Sequence, residues 1–303
     1  MGRLLRQASR LNRRVSFEKP LRVSFRKKRT GSPAEERVIR MGLLNHAAGR
    51  IQEKTKMAFY RNREGLMHRF YAEIRKDGLA PLSPEDAKHA LRVLRLAPGA
   101  EVELICAGRR FRARLLENAV LAPQQDLPST ESALRITLFQ GIPKGDKMDW
   151  IVQKAVEIGV ARIVPVSMER CVVRLNPQDA EKKQARWNRI AREAGKQSGR
   201  CLLPEVALPV SLEGLHREAS GLDCCVVPWE EAREGGPAAF VQSHPKISSL
   251  GILIGPEGGI SVQEIDHLRG VFRPITLGPR ILRTETAGLA AAAAMLALYG
   301  EME

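Results

Sequence analysis

The sequence predicts an α/β protein: a mostly parallel sheet with helices on both faces, preceded by a small β-barrel. Three observations carry this. From Ala133 onward, short apolar runs of strand length alternate with helical patterns, the sign of strand–helix–strand units. Between Met67 and Ser132, several short alternating runs surround a single helical stretch, which suits a small barrel ending at a linker. Finally, two late apolar runs empty into glycine- and proline-bearing loops, residues 250–254 into Gly255-Pro256-Glu257-Gly258-Gly259 and Ile275-Thr276-Leu277 into Gly278-Pro279-Arg280. Their separation is roughly one crossover, so the two strand exits are expected to lie side by side.

Length and charge set the organisation. A chain of 303 residues with 44% hydrophobic content can bury more than one core. A net charge of +15 would ordinarily mark a nucleic-acid footprint over the whole molecule, but it is concentrated at one end. Residues 1–66 carry 18 Lys+Arg against 5 Asp+Glu, and residues 67–303 carry 31 against 29. The body is therefore nearly neutral. Residues 1–66 show no sustained apolar period and are expected to be largely disordered. Three readings stand for them: a basic RNA-binding arm, an Arg-rich organelle-targeting peptide, or sequence upstream of the true start. The change of composition at Met67 favours the third. Five scattered cysteines without a C-x-x-C pair, and six histidines without ligand spacing, argue against a zinc site and suit a reducing compartment. The longest apolar run, 287–299, is too short to span a bilayer, so a cytoplasmic protein without a membrane partner is expected.

Taken in order, residues 68–74 read as a strand, and Ser83-Pro84-Glu85-Asp86 supplies an N-cap, a first-turn proline and two first-turn acids for a helix to about Leu94. Alternating runs at 101–106 and 110–116 form a hairpin about Ala107-Gly108-Arg109, Val120 and Leu121 follow, and the proline-bearing polar stretch 122–132 reads as the linker. Beyond it come a strand at 134–140, a helix over 148–159, a strand at 160–167, and a helix over 178–197 stopped by Gly199. Strands at 224–227, 250–254 and 274–277 and a helix over 284–298 complete the pattern.

In parallel α/β sheets, ligands bind outside the carboxyl ends of the strands. Gly258 and Gly259 are expected to bare the backbone there, and Gly255-Pro256 to fix a turn. The stretch lacks the Gly-Lys-Ser/Thr of a P-loop and any G-x-G-x-x-G, so it is not a phosphate loop of those kinds. Residues 254–261 with Glu264, together with Leu277-Gly278 and Arg280-Ile281-Leu282-Arg283-Thr284-Glu285-Thr286-Ala287, resemble the SPOUT trefoil-knot methyltransferases. Within these they are similar to the RsmE group, which methylates N3 of a uridine in 16S ribosomal RNA. The likeness extends to 144–148, 153–159, Arg186-Trp187, Glu193-Ala194 and 197–200, and covers Met67 to the end.

The resemblance implies three segments: the 1–66 extension, a PUA-like RNA-binding barrel over 67–128, and a knotted SPOUT domain over 133–303 that binds S-adenosylmethionine and forms a homodimer. It places the cofactor among Leu253, Ile254, Gly255, Pro256, Glu257, Gly258, Leu277, Gly278, Ile281, Leu282, Arg283, Thr284, Thr286 and Ala287. Methyl transfer to a weakly acidic imide nitrogen needs positioning and anion stabilisation. Arg283 is accordingly expected to stabilise the uracil anion, and Glu285 either to take the proton, to hold Arg283, or to cap the helix. Arg69, Arg92, Lys144, Lys147, Arg170 and Arg200 are expected phosphate contacts with 16S rRNA in the assembled small subunit, and Trp150 and Trp187 are expected in the core. The competing readings are another SPOUT methyltransferase, acting on a different base or a ribose oxygen, and a non-catalytic RNA-binding or ribosome-assembly protein.

Overall fold

A computed structural model describes residues 67–233 and 235–302; the expectations for residues 1–66 lie outside them. The first sheet takes β1 (Arg69–Tyr71), β2 (Ala80–Pro81), β3 (Glu101–Cys106), β4 (Arg109–Leu115) and β5 (Val120–Leu127) in the order β1-β3-β4-β5-β2. It is an open half-barrel, with no ladder between β1 and β2 among the described residues. Helix α1 (Pro84–Lys88) starts where Ser83 accepts from the Asp86 N–H, and continues as a π turn over His89–Val93. Phe70, Val102, Leu104, Leu115 and Leu121 form the core of this part.

Two readings change here. β1 is shorter than 68–74 because pairing ends once the Ala72 N–H reaches the Ile105 carbonyl and the chain turns at Arg75 and Gly78. The expected linker from Ala122 is instead most of β5. Ala113 pairs with Pro123 while Arg112 pairs with Gln125, leaving Gln124 as the extra residue of a bulge. A proline that would end a regular strand is tolerated beside such a bulge.

The second sheet is wholly parallel. It comprises β6 (Arg135–Gly141), β7 (Arg162–Val166), β8 (Glu205–Val206), β9 (Cys224–Pro228), β10 (Ser249–Ile254) and β11 (Arg273–Ile275), in the order β11-β9-β10-β6-β7-β8. Its strands alternate between two apolar cores, as a sheet covered on both faces requires. Ile136, Leu138, Ile252 and Ile254 face helices α2 (Lys147–Ile158), α3 (Pro177–Ser198), α5 (Pro237–Ser243) and α7 (Thr284–Leu298). Phe139, Val164, Val227 and Leu253 face α4 (Leu212–Ala219) and α6 (Val262–Leu268). β8, α4, α5 and α6 are too short to show a period in the sequence. α6 is nevertheless marked by a capping box between Ser261 and Glu264.

The two exits expected side by side are not neighbours, since β9 separates β10 from β11. The chain leaves β6 for β7 and β8 on one side, and β10, β9 and β11 fill the other. The order therefore reverses between β6 and β10, where the crevice for a ligand is expected outside the carboxyl ends of the strands; the loops leaving those two strands meet there, Lys144 on Glu257.

The end of α3 is clasped by the first sheet and the connection after it. Tyr71 Oη donates to the Arg200 carbonyl (2.6 Å), Arg69 Nη1 to the Lys196 carbonyl (3.3 Å), and Thr130 Oγ1 to the Gly199 carbonyl (2.7 Å). Arg200 itself is 5% exposed. Its guanidinium donates to the Glu131 carboxylate (2.7 Å) and to the carbonyls of Val156 and Val160 (2.9 Å each). Arg200 is thus withdrawn as a phosphate contact, because every nitrogen that an RNA would need is engaged inside the protein.

Candidate active site

The crevice is braced from three sides. Thr284, the first residue of α7, donates its hydroxyl to the Gly255 carbonyl (2.6 Å) and accepts from Gln140 Nε2 (2.9 Å). The chain thereby returns from the edge strand β11 to the centre of the sheet, bringing Arg283 and Glu285 to the loop that leaves β10. On the opposite side the backbone N–H of Lys144 donates to Glu257 (3.1 Å). Lys147 then bridges Glu257 (3.0 Å) and Glu285 (3.2 Å). From β7's exit, Arg170 Nη1 reaches the Gly258 carbonyl (3.0 Å), Ser261 Oγ donates to Glu169 (2.7 Å), and the Glu169 N–H donates to Glu264 (2.8 Å).

These contacts set the charge. Glu285 is held below the usual carboxylate range by its own backbone N–H in the first turn of α7, and then by Lys147 and Arg283. Glu257 is also low: burial pushes it up, but its own N–H, Lys147 and the Lys144 N–H outweigh that. The two carboxylates correspondingly push Lys147 up. Two anions share one cation at this point of the rim, with the cations Arg283, Lys144 and Arg170 around them, so the site presents charge of both signs. Lys147, expected as a phosphate contact, is engaged with both carboxylates.

The glycines serve the loop itself more than a ligand. A Cβ on Gly258 would lie 2.9 Å from Arg170 Cβ. Gly259 has φ +72°, the left-handed region that favours glycine, and its Cβ would lie 2.8 Å from Glu230 Oε1.

Of the residues expected to hold the cofactor, Leu253 and Ile254 are buried at the end of β10, and residues 255–258 form the loop. Leu277 packs against the core and Ala287 against it from α7. Leu282 is half-buried, whereas Gly278 and Thr286 are exposed and Ile281 is 90% exposed. Arg283 is the N-cap residue of α7; its side chain is exposed and makes no hydrogen bond or ion pair among the described residues. Glu285 pairs with Lys147 rather than holding Arg283. Lys144 and Arg170 stand at the crevice. Arg92 lies away from it on the π turn, and Arg69 is taken up by Glu103 (3.1 Å) and the Lys196 carbonyl. Trp187 is buried as expected, but Trp150 is 45% exposed. Among the described residues no group of His, Cys, Asp and Glu is placed to hold a metal ion.

Two contributors went unread. Gln140 is a lone buried amide at the end of an apolar strand, a signal that was available. The loop after β9 joins the same end of the sheet, with the Trp229 N–H on the Ile275 carbonyl (3.1 Å) and Glu230 beside Gly259. No local pattern marks that loop.

The family of RNA methyltransferase domains matches residues 130–296. Ribosomal RNA small subunit methyltransferase E of Bacillus subtilis (strain 168) is 36% identical over 248 residues, 76% of this chain and 96% of its own length. The protein of the same name from Aquifex aeolicus is 34% identical over 230 residues, 73% and 95%. The crystal structure of ribosomal RNA small subunit methyltransferase E from Neisseria gonorrhoeae bound to S-adenosyl methionine matches with a TM-score of 0.66 at 37% identity, covering 77% of this chain and 98% of that one. The chain belongs to the ribosomal RNA small subunit methyltransferase E family of RNA methyltransferases.

Proposed function

We propose that this protein transfers the methyl group of S-adenosylmethionine to N3 of a uridine in 16S ribosomal RNA. The observation that carries the reading is the braced crevice between β6 and β10, where Thr284 holds the Arg283-bearing end of α7 against Gly255. The site can take the cofactor, since Glu257 and Glu285 share the single cation Lys147 and a sulfonium is cationic. The cofactor supplies an electrophilic methyl group. The residues that hold it are the backbone of 255–258 and the segment 277–287.

Arg283, whose side chain makes no hydrogen bond or ion pair among the described residues, stabilises the negative charge that develops on a uracil oxygen as N3 loses its proton to solvent, which favours ionisation without a strong base. N3 then takes the methyl group as its bond to sulfur breaks, and S-adenosylhomocysteine leaves. Glu285 is a positioning anion. A carboxylate held low is a weak base, and its ion pair with Lys147 fixes the start of α7. The uridine must leave its stack to enter the crevice, which is least costly in looped or single-stranded RNA. Lys144 and Arg170 border the entry and contact phosphate.

The finer architecture belongs to the same proposal. The return of residues 276–283 from the sheet edge to its centre supports a trefoil knot, and the half-barrel over 69–127 supports a PUA-like RNA-binding domain. α7 is apolar on all sides, with Leu298 46% exposed near its end and Trp150 exposed on α2; this supports a homodimer through that face. The assembled small subunit as substrate and a cytoplasmic location belong to the same proposal.

Mass spectrometry of nucleosides from small-subunit RNA, naked and assembled, after incubation with labelled S-adenosylmethionine tests the reading. Labelled N3-methyluridine, made in assembled subunits, is expected. Label on another base or on a ribose would overturn the N3 assignment, and confirmed cofactor binding without label would point to a binding protein.

A further inference from the structure

Gln140 is fully buried in β6 among Ile136, Leu138 and Phe139. Its Nε2 donates to Thr284 Oγ1 (2.9 Å) and to the Gly141 carbonyl (3.1 Å), and Thr284 Oγ1 donates to the Gly255 carbonyl (2.6 Å). Chemistry sets the direction of this chain. A carbonyl only accepts, so the single hydroxyl proton of Thr284 goes to Gly255, and only the amide nitrogen of Gln140 can donate to that hydroxyl. The same orientation leaves Gln140 Oε1 buried with no hydrogen-bond partner among the described residues. Burying an unpaired acceptor costs stability, so stability alone would not favour an amide at this position.

We infer that Gln140 is a positioning residue for methyl transfer, acting through Thr284. The inference rests on the reaction proposed above. Gly255 opens the cofactor loop, and Thr284 stands between Arg283 and Glu285. The relay from Gln140 to Thr284 to Gly255 therefore sets how far the Arg283 guanidinium stands from the loop. Packing of α7 on the sheet and the Lys147–Glu285 pair hold the helix as a whole, and the relay holds its first residue. Helix α7 approaches β6 and β10 at Gly288, where a Cβ would lie 3.2 Å from Leu138 Cδ1 and 3.3 Å from Ile254 Cγ1. The loop at Gly255 is also held by Glu257 and Arg170, whereas the Arg283 side chain makes no hydrogen bond or ion pair among the described residues. Loss of the relay thus displaces Arg283 more than the loop. Misplacement of about 1 Å can lower a rate about 100-fold.

The test is turnover on small-subunit RNA by the full chain and by Gln140→Met, Thr284→Val, Thr284→Ser and the Gln140→Met/Thr284→Val double variant. S-adenosylhomocysteine affinity and thermal melting are measured on each. Gln140→Met and Thr284→Val should each lower kcat about 10- to 100-fold. Gln140→Met should keep cofactor affinity within about threefold, because the loop's other braces remain. Thr284→Ser should restore most of kcat, and the double variant should be no slower than Thr284→Val, because both act through one relay.

Wild-type kcat in Gln140→Met, equal losses of kcat and cofactor affinity, or additive losses would each overturn the inference. If Gln140→Met fails to fold, the contrast between Thr284→Val and Thr284→Ser decides it, equal rates in the two counting against the relay. A wild-type protein that binds cofactor and leaves every RNA unlabelled would instead reject the reaction itself, and the relay's role with it.

Discussion

At the scale of single residues, arginines and lysines alike in the sequence have different surroundings. The Arg283 side chain is exposed without a hydrogen bond or ion pair among the described residues, Lys147 is shared by two carboxylates, and Arg200 is enclosed by Glu131 and two carbonyls. Removing a single anion-stabilising donor typically lowers kcat about 100-fold or more. Arg283→Ala should do so in the RNA assay, and near-normal turnover would reject its role. Lys147→Met should raise the Glu285 pKa. The titration of the Glu285 carboxyl, followed by NMR, should therefore move to higher pH, and an unchanged titration would reject the pairing. Arg200→Ala leaves Glu131 without its cation and should cost about 3–5 kcal/mol of stability, measured by urea denaturation. The salt dependence of RNA binding should stay as in the wild type, because Arg200 is not on the surface.

At the scale of elements, the strands and helices are local solutions whose junctions are set by polar contacts. Asp223, at the entry to β9, accepts from the Ser248 and Ser249 N–H groups and from the Ser248 hydroxyl. Those bonds lower its pKa from 3.8 to about 2. A depressed carboxylate contributes stability that is fully present above its ordinary value and lost as pH falls through the folded one. Asp223→Asn should therefore melt at a lower temperature than wild type at neutral pH, with the gap closing as pH falls from about 4 towards 2. The helices were legible where length or a cap exposed them. α7 spans the predicted 284–298, and α3 begins at an Asn176 cap and ends at Gly199. β5 was misread because its proline sits beside a bulge, which is a property of the pairing and not of the strand's own residues.

At the scale of the molecule, among the described residues, the two sheets are joined at the end of α3, where Tyr71, Thr130, Glu131 and Arg200 meet. Burial pushes the Tyr71 phenol up, so it remains a neutral donor to the Arg200 and Gly195 carbonyls. The joint should make residues 67–302 unfold in a single transition. Glu131→Ala removes the acceptor of Arg200 and of the Cys201 and Leu202 N–H groups, and should broaden or split that transition in calorimetry. An unchanged sharp transition would show that the sheets are coupled through other contacts.

The sequence by itself determined the parallel α/β class, most strand and helix positions, the two loops and the family, because hydrophobic period, caps and motif order are properties of the chain read locally. The tertiary structure decided which charges are free. It also decided that β9 separates the two strands whose loops nevertheless meet, and that a buried glutamine joins them through Thr284. Such facts depend on which distant residues approach within hydrogen-bonding distance, and the strand order that brings Gln140, Gly255 and Thr284 together is not written in any one stretch of sequence.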